Sequence, residues 1–324
     1  MIYAYDLSCF FINMYELEDI ALDNLDTSLT TNMSSMFWGV SEWNDTSSSL
    51  IIDLGSNFDT SNVTDMSSMF SGIGYYSSIQ NITLDLGDKF NTSNVTNMSG
   101  MFNCIGKYND TGYTVTLNLG DKFDTSNVTD MHDMFRNLGI GSTVLTLDLG
   151  DKFDTSNVTN MNMMFLQTGY SSTVFTLDLG DKFDTSNVTN MYSMFESTGY
   201  SSTVFTLDLG DKFDTSNVIS MNSMFDSTGY SSTIFTLDLG DKFDTSNVTN
   251  VGYMFYETGY ANDSLVLDLR QLTFDSVDTS REYHYKNMFG VKSTTTIRVK
   301  SSIEQSWILD KGFANLSTDN VIVG

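Results

Sequence analysis

The chain has 324 residues, 40% of them hydrophobic and 13% aromatic, with 15 Lys+Arg against 41 Asp+Glu and a formal net charge of -26. So acidic a chain lacks the basic footprint that nucleic acids and anionic membrane surfaces require, and the charge favours solubility and cationic partners. The aromatic content and regular apolar spacing argue against disorder, and no apolar run is long enough to span a bilayer.

The N-terminal stretch MIYAYDLSCFFINMYELE has no basic start and no clean small-residue cleavage site, so it does not read as a signal peptide. Residues 1–37 read as a partial, degenerate repeat. From there to residue 289 the chain repeats itself. A Phe closes an M-x-x-M-F cluster at Phe37, Phe70, Phe102, Phe135, Phe165, Phe195, Phe225, Phe255 and, weakened, Phe289. A fixed period of this kind means stacked supersecondary units, each in contact only with its neighbours.

Each unit divides into two predicted elements. In the unit ending at Phe195, the apolar residues Val188, Met191, Met194 and Phe195 fall on one face of a short helix. Asp184, Thr185, Ser186 and Asn187 precede it as N-cap donors and acceptors, and Gly199 stands where a helix ends in a left-handed residue. The second element, Thr203 to Leu209, alternates Phe205, Leu207 and Leu209 with Thr206 and Asp208, the pattern of a half-buried strand. Strand and helix in alternation predict an α/β solenoid. It would be a right-handed coil with one parallel sheet of about ten strands, short helices on the opposite side and a Leu/Phe/Met core between. Residues 290–324 break the period and read as a terminal strand and cap over the last sheet edge.

The block F-D/N-T-S-N-V-T-N/D-M-x-x-M-F followed by L-D-L begins at residues 58, 90, 123, 153, 183, 213 and 243. It resembles the repeat of bacterial BspA-type leucine-rich-repeat surface proteins. The resemblance implies a leucine-rich-repeat-like solenoid, secretion, display at the cell surface, and adhesion to a host or neighbouring-cell protein or glycan. It brings no catalytic residues. The central units here are 30 residues long, longer than that family's, and carry their extra length in the TGYSST and GDK segments.

Two rows of outward side chains are candidate binding surfaces. Asp53, Asp85, Asp148, Asp178, Asp208, Asp238 and Asp268 occupy one strand position, with Asn118 in the remaining unit, Ala21 before the row and Arg298 after it. In an in-register sheet these carboxylates stack at strand spacing. They would form either a cation- or ligand-binding surface or a solvated face that blocks sheet-on-sheet aggregation, and mutual repulsion would raise their pKa values. Tyr170, Tyr200, Tyr230 and Tyr260 form the second row, with Tyr75 and Tyr113 as outliers; the rings would either stack on one another or meet a ligand.

Other chemistry is sparse. Asp181, Asp184 and Asn187 offer oxygens to calcium, and a calcium-stabilised repeat array is the alternative, but Lys182 lies in the turn and the EF-hand spacing is absent, so no cofactor is expected. Asn187-Val188-Thr189 matches a glycosylation acceptor, but it sits where the helix should start. His132 and His284 fall in distant units, and no phosphate loop, zinc-protease motif or nucleophile elbow occurs, so no enzyme is expected. Cys9 and Cys104 lie roughly three coils apart, beyond disulfide reach. The sequence thus predicts a monomeric, non-catalytic scaffold that binds through its sheet face or loop edge, or else a rigid spacer.

Overall fold

Five-residue strands recur once per coil because the alternation of apolar and polar residues gives each a core face and a solvent face. A computed structural model describes residues 2–17, 19–22, 25–45, 49–54, 58–87, 89–106, 112–120, 122–150 and 152–324, with backbone alone at Ile2, Tyr3, Asp19 and Ala21. The strands are β1 (Ile2–Tyr3), β2 (Asp19–Ala21), β3 (Leu25–Asp26), β4 (Ser49–Asp53), β5 (Asn81–Asp85), β6 (Thr114–Asn118) and β7 (Val144–Asp148). They continue as β8 (Val174–Asp178), β9 (Val204–Asp208), β10 (Ile234–Asp238), β11 (Val266–Leu269), β12 (Thr296–Val299) and β13 (Val321–Val323). Every pairing is parallel, and the chain winds as a β-solenoid of about eight turns with very little helix.

Two expectations need correction. The described residues do not form one ten-strand sheet. Their ladders divide into β2-β4-β5-β6-β7-β8, β9-β10, β11-β12-β13 and β1-β3. Nor do helices line the opposite side. Among the described residues the only α-helix is α1 (Ser302–Asp310), joined by one short 3-10 turn at Glu282–His284.

The M-x-x-M-F segment is instead a staircase of β-turns. The amides of Met194, Glu196 and Thr198 donate to the carbonyls of Met191, Ser193 and Phe195, three residues back, at 3.3, 3.3 and 3.0 Å. The intervening amides of Met191, Ser193, Phe195 and Ser197 leave the coil and donate to Ser220, Asn222, Met224 and Asp226 of the next one, at 3.1, 3.0, 2.9 and 2.7 Å. A helix would keep all these bonds to itself. The ribbon sends every second one to a neighbour, so the stack satisfies its backbone only collectively. Left-handed residues recur every four positions to make this geometry, as at Ser193 (φ 52) and Ser197 (φ 56). At Gly199 (φ 59) the direction reverses, and its amide donates back to Thr168 of the preceding coil at 3.0 Å. A Cβ there would lie 2.8 Å from the Phe205 ring, so the site needs glycine for space as well as for φ.

The inward positions were read correctly. Val188, Met191, Met194 and Phe195 are fully buried. Phe195 stacks between Phe165 and Phe225 at centroid distances of 5.3 and 5.7 Å. A second stack runs through Phe183, Phe213 and Phe243 at 6.2 Å spacing, and the two touch obliquely where Phe195 meets Phe213 at 6.3 Å. Offset ring stacks of this kind add to the area they bury.

At the C-terminal end β13 extends the sheet beyond β12. The Ser301 hydroxyl caps α1 by accepting the Ile303 amide at 3.1 Å. Trp307 of α1 lies flat on Phe274 at 4.5 Å, and Ile308 is fully buried. Cys9 and Cys104 form no disulfide, as expected.

Candidate functional site

The aspartates do stand in register. Asp53 faces Asp85, Asp85 faces Asn118, Asp148 faces Asp178 and Asp208 faces Asp238. Five of them also have a local task. The Oδ1 atoms of Asp85, Asp148, Asp178, Asp208 and Asp238 accept the amide of the glycine two residues on, at 2.9–3.0 Å, and so close the strand end. Asn118 does the same for Gly120 at 3.1 Å. The row ends differently from the expected raised carboxyl. Arg270 grips Asp268 with two bonds of 2.8 and 2.6 Å, and Arg298 faces it across the sheet. These cations hold the Asp268 carboxyl below the usual carboxylate range.

The tyrosines stack on one another. Tyr170–Tyr200, Tyr200–Tyr230 and Tyr230–Tyr260 have centroid distances of 4.5, 4.7 and 5.3 Å and are nearly parallel. Burial, with the neighbouring phenols and Glu257, pushes the Tyr200 hydroxyl up to about 12. Lys292 Nζ sits 5.4 Å from the Tyr260 centroid and 2.7 Å from Asp263, closing the far end of the stack. Tyr113 does not belong to this row. It is fully buried, its hydroxyl lies against the carbonyls of Gly106 and Ile140, and burial pushes its pKa up. Tyr75 packs edge-on against Tyr76, which stacks on Trp43.

The D-T-S-N-V-T block is a set of inter-coil latches. Asp184 accepts the Ser186 amide at 2.9 Å. The buried Thr185 hydroxyl donates to the carbonyl of Asp214 in the next coil at 2.8 Å, and the Asn187 side chain donates to Ser156 in the preceding coil at 2.6 Å. Capping was expected of these residues, but they serve a turn ribbon. The Asn187 Nδ2 that a glycan would need is therefore committed to backbone, which weighs against the glycan reading of those turns. Among the described residues no three His, Cys, Asp or Glu side chains converge as a metal cage would need. His132 pairs with Asp130 at 2.7 Å, and His284 lies 3.3 Å from Asp278, each within its own coil.

The outward face of the sheet carries a third column that the sequence reading passed over. Val144, Val174, Val204, Ile234 and Val266 are 42–58% exposed, beside the Thr and Asp columns. Their alternation with the core-facing residues is visible in the sequence, where they begin each strand.

A non-repeated cleft lies at the C-terminal end, where period-based reading has no purchase. A cleft of about 530 Å³ opens between the last turn-ribbon coil and the segment after α1, with Tyr256, Tyr285 and Phe313 among its walls. Lys286 and Lys311 reach it beside Glu257 and Glu282. A composition signal was available, because seven of the 15 Lys+Arg fall between residues 270 and 311.

Parallel ladders, stacked core rings and rows of identical outward side chains define a β-solenoid repeat protein. The family model described as "Mycoplasma protein of unknown function, DUF285" matches in four overlapping stretches, residues 5–117, 75–203, 111–228 and 172–300, and the chain belongs to that family. No curated protein and no solved structure matches it.

Proposed function

We propose that this chain is a non-catalytic repeat scaffold, displayed at or secreted to a cell surface, whose sheet face adheres to a protein or glycan on another cell. The observation that carries this reading is the exposed Val/Ile column on the sheet. An apolar strip left open along several coils, flanked by polar columns, is what a contact surface requires. The Tyr edge is the weaker candidate, because its ring faces are already spent on each other. The resemblance to BspA-type repeats supports surface display and adhesion. The two histidine–aspartate pairs lie in separate coils, which supports a role without catalysis.

A rigid spacer is the second reading, favoured by the near-identical outward residues of β8, β9 and β10. One experiment separates the two. Fluorescently labelled protein is titrated onto intact animal cells, and onto cells pretreated with protease or glycosidases. Adhesion predicts saturable binding that one pretreatment abolishes and that Val174→Glu/Val204→Glu weakens by more than about tenfold. Absence of saturable binding favours the spacer.

A further inference from the structure

Along the turn ribbon, each coil offers a row of amides that the next coil's carbonyls accept. Ser197 donates to Asp226 and Ser227 to Tyr256, each at 2.7 Å, and Tyr253 and Phe255 donate to Lys286 and Met288 at 3.0 and 2.9 Å. Towards the C-terminal end this series stops, first at Glu257 and then, one coil on, at Asn287 and Phe289. The amides of Glu257, Asn287 and Phe289, at the corresponding ribbon positions, donate to no described residue, and all three residues line the cleft. The core stack changes there too. Phe289 still lies flat on Phe255 at 5.7 Å, but its next neighbour, Phe313, meets it edge-on at 77°. The cleft is therefore the vacant continuation of the inter-coil interface, with donors unmatched and aromatic walls in place.

We propose that this cleft binds an extended peptide segment of a partner protein, whose main-chain carbonyls, two residues apart, take the amides of Asn287 and Phe289. An apolar side chain of the segment would lie against Tyr256, Tyr285 and Phe313. Carbonyls i and i+2 of an extended chain point to one side, so one strand satisfies both donors, the logic of strand addition. The segment's carbonyls would supply these two amides with the protein acceptors that every earlier coil receives from its neighbour. A second copy of this chain is the poorer occupant, because net charge -26 opposes self-association. The site is separate from the sheet face and does not depend on it.

The test uses the whole chain and a labelled synthetic peptide of residues 219–228, ISMNSMFDST, the segment whose carbonyls take the equivalent amides of the preceding coil. Fluorescence polarisation should give saturable binding. Hydrogen exchange at the Asn287 and Phe289 amides should slow by more than about tenfold with peptide bound. Ala314→Trp, at an exposed cleft position, should cost at least about tenfold in affinity while Val204→Trp on the sheet costs nothing. Ala314→Arg repeats the block if the Trp variant melts early. No saturable binding at millimolar peptide, no added protection at those two amides, or wild-type affinity in both Ala314 variants would each overturn the proposal. So would concentration-dependent self-association that Ala314→Trp abolishes, which would give the cleft to a second copy.

Discussion

The side-chain amide of Asn187 donates to the carbonyl of Ser156, one coil earlier, at 2.6 Å, and the same bond links Asn217 to Ser186 and Asn247 to Ser216 at 2.7 Å. Thr185 reaches the other way, to Asp214. Each coil is thus latched to both neighbours by side chains that are polar in sequence and structural in place.

These two latches should differ in weight. Thr185 is fully buried, so Thr185→Val leaves the part-buried Asp214 carbonyl without its donor and should cost about 1–3 kcal/mol. Asn187 is exposed, so water can replace its bond, and Asn187→Ala should cost only about 0.5–1.5 kcal/mol. Urea denaturation of the two variants checks the order; a larger loss for Asn187→Ala would show the Thr hydroxyl to be dispensable.

Phe195→Ala should destabilise by about 3–5 kcal/mol, since it empties a fully buried site held by two stacked neighbours. The same denaturation experiment reads it. A loss below about 1 kcal/mol would mean that the stack closes over the gap.

The strand aspartates combine capping with in-register repulsion, and substitutions can separate the two. Asn keeps the Oδ1 acceptor, as Asn118 demonstrates on Gly120. Asp178→Asn/Asp208→Asn should therefore leave stability at pH 7 equal to or above wild type. Asp178→Ala/Asp208→Ala loses both caps and should melt lower. If the Asn pair also melts lower, the negative charge itself is structural and the repulsion argument is wrong.

Much of this was legible in the sequence. The strand alternation from Val204 to Asp208, the buried Met191, Met194 and Phe195, and the in-register Asp row all follow from period and polarity. The helix did not survive because spacings of three and four apolar positions suit a turn staircase as well as a helical face. The local marker was the Ser, Asn or Gly recurring at left-handed positions such as Ser193, Gly100 and Asn137, which a helix would not place there. The cleft was hidden for a different reason. It is built from the loss of the repeat, where Asn287 and Phe289 meet no further coil, so the period carries no sign of it and only the clustering of Lys and Arg between residues 270 and 311 marks the place.

Asp226 should give the solenoid a pH dependence. It follows Phe225 on the turn ribbon and is half-buried, and the Ser227 hydroxyl donates to its Oδ1 at 2.8 Å. Burial, reinforced by the charges of Glu196 and Glu257, raises its pKa from the ordinary 3.8 to about 6. Between those values the folded protein keeps a proton that the unfolded chain has released. Stability contributed by this group is therefore complete below the ordinary value, falls as pH rises, and is lost above about 6. The penalty at pH 7 is on the order of 1–3 kcal/mol, and Asp226→Asn, which cannot ionise, should remove it. Melting curves of wild type and Asp226→Asn from pH 4 to 7.5 check this. The variant should gain on wild type steadily from about pH 4 to 6 and hold that advantage above it. A constant difference across the whole range would mean that the Asp226 carboxyl is solvated and titrates alike in both states.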